Sequence, residues 1–227
     1  MLESTIHRYS YCFSWLGRPI IQYPQDIVAL QEIVWDVRPD LIIETGIAHG
    51  GSLILSASLL ALLDYSEAAQ NSQTLDPRRS CRKVLGIDVD IRRHNDEALR
   101  GHPLSNLIKT ITGSSIDKSV IDQVRDIAKT YKRVLVCLDS NHTEAHVLAE
   151  LEAYASLVTR GSYCIVFDTV IEEMPKSMYP DRPWGPGDNP KTAVHKYVAK
   201  HGEFVIDRTW QNKLMLTVAS DGYLKRE

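Results

Sequence analysis

The stretch Leu41-Ile-Ile-Glu-Thr-Gly-Ile-Ala-His-Gly-Gly-Ser52 decides the fold. Three consecutive apolar residues form a strand with no polar face, Glu44 closes it, glycines turn the chain, and Ser52 opens a helical segment running to Leu63. A strand buried on both faces that turns on glycines into a helix belongs to a parallel α/β sheet, whose carboxyl edge holds nucleotide-like ligands. The glycines Gly46, Gly50 and Gly51 permit a tight turn and close backbone approach, and Glu44 can accept hydrogen bonds from a ribose.

The same pattern recurs along the chain. Val84 to Ile87 ends at Asp88, Leu107 to Ile111 leads to Gly113-Ser114, Val134 to Leu138 ends at Asp139, and Tyr163 to Phe167 ends at Asp168. Helical stripes separate several of them: Ile27, Val28, Leu30, Ile33, Val34 and Val37 before the first strand, Val120 to Ile127 before the fourth, and Val147 to Val158 before the fifth. Phe204 to Ile206 and Leu214 to Val218 read as a closing, antiparallel pair, giving a mostly parallel seven-stranded sheet with helices on both faces. An aromatic arm over residues 1–24, an exposed insertion over 64–83 and a Pro/Gly-rich lid or interface loop over 175–190 complete one domain over 1–227.

Composition narrows the partners. With 227 residues, 44% hydrophobic and 24% charged, the chain supports one substantial core. A formal charge of −3 argues against nucleic acid, which draws a basic stripe. No opening segment reads as a signal, and the longest membrane candidate, Leu53 to Leu63, is short of the roughly 20 residues needed to span, so a cytoplasmic location without membrane attachment is expected. Cys12, Cys81, Cys137 and Cys164 form no CxxC pair, so neither a disulfide framework nor a thiolate zinc site is expected.

Two constellations carry chemistry. Glu44, Gly46, Gly50, Gly51 and Ser52 at one strand end, Asp88 at the next and Ser114 at the third converge in a doubly wound sheet as a cofactor site. The spacing is not the GxGxxG of dinucleotide sites and no GKS or GKT follows. A carboxylate beside the glycine turn disfavours a pyrophosphate and suits a cationic, phosphate-free ligand, which points to S-adenosylmethionine. The second constellation is Asp139-Ser-Asn-His142 with Asp168. Adjacent strand ends present both aspartates to one hard divalent ion, magnesium being the simplest, and His142 is placed as a base for a substrate hydroxyl. His142 as a helix cap or further ligand is the competing role, and His146 reads as structural. An iron site built on His94 and Asp96 leaves the glycine loop unexplained. Tyr179, Arg182 and Trp184 on the 175–190 loop are candidates for closing over a small hydroxyl acceptor.

Tyr9-Ser-Tyr-Cys-Phe-Ser-Trp15, the glycine turn, Asp139-Ser-Asn-His-Thr143 and Asp168 together resemble the cephalosporin hydroxylase and rhamnosyl O-methyltransferase family nearly end to end, and Leu16-Gly-Arg-Pro19 looks particularly close to its cephalosporin-type branch. The resemblance implies a Rossmann-like class I methyltransferase fold, S-adenosylmethionine contacts from Glu44, Gly46, Ser52 and Asp88, and a magnesium site beginning at Asp139, which also borders the cofactor. It implies methyl transfer to a hydroxyl of a sugar or antibiotic-like metabolite, His142 as general base, and a homo-oligomer. The family's metal site usually has two adjacent acids at the fifth strand end, whereas this chain has Phe167-Asp168. Either a different third group or water completes the site, or the metal is weakly held or absent. A cofactor-binding accessory to an oxygenase, or a hydroxylase, are the alternative activities.

Overall fold

A computed structural model describes residues 1–227. The aromatic arm is more ordered than its composition suggests: α1 (Leu2–Ile6) and a 3-10 turn lead into a hairpin of β1 (Phe13–Trp15) and β2 (Arg18–Ile20). Then follow α2 (Pro24–Val37), β3 (Leu41–Thr45), α3 (Gly51–Gln70), β4 (Lys83–Asp88), α4 (Arg93–Arg100) and β5 (Ile108–Thr112). The second half contains α5 (Lys118–Ala128), β6 (Val134–Leu138), α6 (Glu144–Tyr154), β7 (Tyr163–Val166), α7 (Pro190–Val198), β8 (Phe204–Ile206), α8 (Arg208–Leu214) and β9 (Tyr223–Arg226).

The main sheet has seven strands in the order β5-β4-β3-β6-β7-β9-β8, parallel except for β9, which pairs antiparallel with both neighbours. Every residue of β3, β6 and β7 is buried, as continuous apolar runs require when helices cover both faces. Alternate side chains divide between two cores. Ile42 and Leu135 join α2 and α3 on one face, while Leu41, Ile43 and Val136 join α5, α6 and α7 on the other. Each fully buried aliphatic side chain contributes about 1.5–3 kcal/mol by leaving water.

Two expectations are corrected. Leu214 to Val218 is not the closing strand, because Asp207 caps α8 by accepting from the Thr209 amide at 3.1 Å and that helix consumes Leu214. Met215 then takes φ +60°, Leu216 is exposed, and the strand forms at Tyr223–Arg226. The insertion also begins later, since α3 continues for 20 residues to Gln70. By length and composition α3 could cross a membrane, but Leu53, Ile54, Ala57 and Leu60 are buried in the core. The 175–190 loop has only a short 3-10 turn at Lys176–Met178 and a Gly185–Asp188 bridge before Asn189 caps α7 with a reciprocal Thr192 contact.

Candidate active site

After β3 the chain passes to β4 and β5 on one side of the sheet, then returns to place β6 on the other side of β3. That reversal opens a crevice between the carboxyl ends of β3 and β6. Thr45 pairs with Leu138, and the Asp139 amide donates to the Thr45 carbonyl at 3.0 Å, which seats the glycine turn against the aspartate loop. A Cβ on Gly46, whose φ is +88°, would lie 2.1 Å from the Asp139 carbonyl oxygen. Glycine is required there for the two strand ends to touch.

A cleft of about 390 Å³ lies over this junction. Gly46, Gly51, Ser52, Asp139, His142, Asp168, Tyr179, Arg182 and Trp184 all line it, so the structure brings together most of the residues selected from sequence. Glu44 lies beneath, buried, receiving the Ser56 hydroxyl and bordering a smaller internal cavity that shares Gly46, Ser52 and Asp139 with the cleft. Burial pushes the Glu44 carboxyl above the usual range, against the Ser56 and Ser52 hydrogen bonds that lower it.

Gly50, Asp88 and Ser114 are not part of the cleft lining. Gly50 begins α3 at φ +82°, and a Cβ there would meet Leu99, so it serves the turn and its packing. One oxygen of Asp88 accepts from the Ile47 amide at 2.7 Å and the Ala48 amide at 3.3 Å, and the other from the Asp90 amide at 3.1 Å. In this structure Asp88 holds the glycine turn in shape.

His142 stands between two carboxylates. Its Nε2 lies 3.1 Å from Asp168 and 3.8 Å from Asp139, and donor atoms of the three residues all fall within 4.8 Å of one another. Asp168 reaches this position through a left-handed backbone, φ +56°, a conformation that costs a non-glycine residue of order 1–3 kcal/mol and clusters at functional sites. Burial pushes the Asp139 carboxyl upward, opposed by the neighbouring His142 imidazole and reinforced by the charge of Asp168. Burial alone would lower His142, but Asp168 and Asp139 outweigh it and hold the imidazole above its ordinary value. Two carboxylates and an imidazole gathered this closely could hold a divalent cation.

Several contributing residues carry no motif. Gln22, just past the hairpin, donates to Asp139 at 3.3 Å, while its buried Oε1 has no partner, an acceptor suited to a bound donor. Met1, Thr5, Arg8, Ser10 and Tyr11 bring the arm into the cleft wall. Behind the aspartate loop, Ser140 donates to Glu150 on α6 at 2.6 Å, and His146 reaches Ser140 at 3.3 Å and Ser115 at 3.1 Å. Only the i, i+4 spacing of His146 and Glu150 was legible beforehand. From the 175–190 loop, the Trp184 ring meets His142 edge-on at 4.9 Å between centroids, and the Arg182 guanidinium lies 5.1 Å over Trp184.

The strand order and the cleft at the β3/β6 reversal define a class I S-adenosylmethionine methyltransferase fold. The chain belongs to the Rhamnosyl O-methyltransferase/CmcI family, whose model matches residues 7–227, and thereby to the S-adenosylmethionine-dependent O-methyltransferases. The Rhamnosyl O-methyltransferase of Mycobacterium tuberculosis (strain ATCC 25618 / H37Rv) is 28% identical over 203 residues, covering 88% of this chain and 73% of the relative. Among solved structures, a magnesium and S-adenosylmethionine complex of CmcI aligns over 96% of this chain and 77% of that one, with a TM-score of 0.62 at 19% identity. The apo structure of a TDP-rhamnose 3'-O-methyltransferase of calicheamicin biosynthesis aligns over 78% and 72%, with a TM-score of 0.53 at 17% identity.

Proposed function

We propose that this protein methylates a hydroxyl of a small sugar or sugar-bearing metabolite, using S-adenosylmethionine at the β3 end of the cleft, magnesium at Asp139 and Asp168, and His142 beside them as the base. The observation that carries the reading is the sharing of one cleft by the glycine turn and the Asp139-His142-Asp168 cluster. Rhamnose is favoured as the acceptor sugar by the names of the mycobacterial relatives and of the calicheamicin enzyme.

Glu44, Gly46, Gly51, Ser52, Asp139 and the orphaned Gln22 carbonyl form the polar floor against which the cofactor would lie. Asp88 and Gly50 shape the turn, and Ser114 stands at the outer strand end. S-adenosylmethionine, when bound, supplies an electrophilic methyl group. Magnesium, when bound, supplies positive charge that loosens the proton of an acceptor hydroxyl. Of the groups in the cluster, His142 is suited to receive that proton, because the carboxylates beside it favour its protonated form. Asp139 and Asp168 then neutralise the imidazolium. Trp184, Arg182 and Tyr179 line the same cleft, with Trp184 against His142, and would limit water around the reacting groups.

The test is calorimetric titration with S-adenosylhomocysteine, followed by a methyl-transfer assay over rhamnose-containing acceptors with magnesium and with EDTA. Cofactor binding with magnesium-dependent transfer supports the reading. Failure to bind S-adenosylhomocysteine at all would refute it.

A further inference from the structure

The glycine turn is held by groups outside the cleft. Asp88 takes the amides of Ile47 and Ala48, and four consecutive carbonyls of the turn each have a donor within the protein. The Gly50 amide donates to Ile47 at 2.7 Å, the Asn95 side chain to Ala48 at 2.8 Å and the Ile54 amide to Gly50 at 3.1 Å. The His49 carbonyl accepts from Nε and Nη2 of Arg18, at 3.1 and 2.5 Å, and the same Nη2 donates to Asn95 Oδ1 at 2.8 Å. One arginine of the hairpin and one asparagine of α4 thus fix two adjacent carbonyls of the turn, and they are bonded to each other.

The turn needs holding. Ala48 has φ +46°, a left-handed conformation that a non-glycine residue keeps only where its surroundings impose it. Its amide is taken by Asp88 and its carbonyl by Asn95, which is 2% exposed. The hairpin that supplies Arg18 is itself anchored: Trp15 donates to Ser58 on α3 at 2.9 Å, His102 beyond α4 reaches the Leu16 carbonyl at 3.1 Å, and a Cβ on Gly51 would lie 2.3 Å from the Pro19 carbonyl. Ala48, His49, Gly51 and Ser52 line the cleft, whereas Arg18 and Asn95 do not, so these two can act on a bound molecule only through the turn.

We infer that Arg18 and Asn95 form one clamp that positions the turn for S-adenosylmethionine, so that cofactor affinity is set from the hairpin and α4. This rests on the methyltransferase reading above. The planar guanidinium is the group that can reach the His49 carbonyl twice and Asn95 at once, an arrangement that the single ammonium of lysine does not reproduce.

The experiment is calorimetric titration of S-adenosylhomocysteine into the unaltered protein, Arg18→Lys, Arg18→Met, Asn95→Leu and the double variant Arg18→Met/Asn95→Leu, beside melting curves. Arg18→Met and Asn95→Leu should each weaken affinity about tenfold or more, and Arg18→Lys, which keeps the charge without the fork, should weaken it less. The double variant should be little weaker than the poorer single one, because both substitutions release the same clamp. The His49 imidazole resonance, assigned against His49→Gln, reports on the turn with no ligand present and should move in Arg18→Met and Asn95→Leu. Unaltered affinity in these two variants, whatever happens to their melting temperatures, would make the residues purely structural and overturn the inference. Losses that multiply in the double variant, Arg18→Lys as weak as Arg18→Met, or an unmoved His49 resonance would overturn it as well. Should Arg18→Met not fold, Arg18→Lys and Asn95→Leu decide by the same two readouts. Failure of the unaltered protein to bind S-adenosylhomocysteine would instead strike the methyltransferase reading, while the His49 resonance still judges the clamp.

Discussion

Ser140 donates a 2.6 Å hydrogen bond to Glu150, a carboxylate with no exposure to solvent, across the turn that joins β6 to α6. Ser140 sits directly beside Asp139 and two residues before His142, so this bond sets the path of the loop that carries both. The other oxygen of Glu150 has no partner, which leaves Ser140 its principal hydrogen-bond donor. Ser140→Ala should therefore strand a buried carboxylate and cost about 1–3 kcal/mol in a denaturant titration. Glu150→Gln, which keeps an acceptor for Ser140 without the charge, should cost less and retain more methyl transfer. Equal losses of activity in the two variants would show that the bond does not position the loop.

His142→Ala should lower turnover by about 10²–10⁴-fold, the range for removing a general base. Its affinity for S-adenosylhomocysteine should change only a few-fold, because His142 belongs to the cluster with Asp139 and Asp168 and not to the glycine turn. Single-turnover methyl transfer beside calorimetry separates the two effects. Turnover near that of the unaltered protein would remove His142 from proton transfer.

Gly46→Ala and Gly50→Ala should differ although both glycines have positive φ. Either substitution carries roughly 1–2 kcal/mol of left-handed backbone cost. At Gly50 the added Cβ meets the tip of the Leu99 side chain, 2.8 Å away, which can move. At Gly46 it meets the Asp139 carbonyl at 2.1 Å, which is backbone. Gly46→Ala should accordingly be the more destabilised and should also weaken metal binding, measured with manganese by electron paramagnetic resonance.

Acid stability should depend on Asp221. Burial alone would raise its carboxyl, but hydrogen bonds from Arg208 and His195 and the charge of Lys191 hold it below the usual carboxylate range. A carboxyl lowered in the folded state binds fewer protons than the unfolded chain does, so its stabilisation is present above the unfolded value, roughly pH 4, and is lost as pH falls through the lowered one. Asp221→Asn should be less stable than the unaltered protein at pH 7. The difference should shrink between roughly pH 4 and pH 2, measured by urea midpoints; a constant gap would exclude the linkage.

Much of the architecture was present in local sequence. Leu41 to Ile43, Val134 to Leu138 and Tyr163 to Phe167 have no polar face, and residues of that kind can be strands only where helices cover both sides. The acids Glu44, Asp88, Asp139 and Asp168 then mark the carboxyl ends by position alone. The closing strand was misplaced because Leu214 to Val218 and Tyr223 to Arg226 both have strand-like composition, and the Asp207 cap and the left-handed Met215 decide between them.

The sequence by itself determined the glycine turn, the five parallel strands from Leu41 to Phe167, and which acids and histidine could perform chemistry, because backbone conformation and burial periodicity are encoded within a few residues. Only the tertiary structure decided what each does. It turned Asp88 onto the loop amides, set His142 between Asp139 and Asp168, and carried Gln22 and Arg8 of the arm into the cleft. The physical reason is distance along the chain: those contacts join residues tens to more than a hundred positions apart, and their geometry exists only once the sheet has brought its strand ends to one edge.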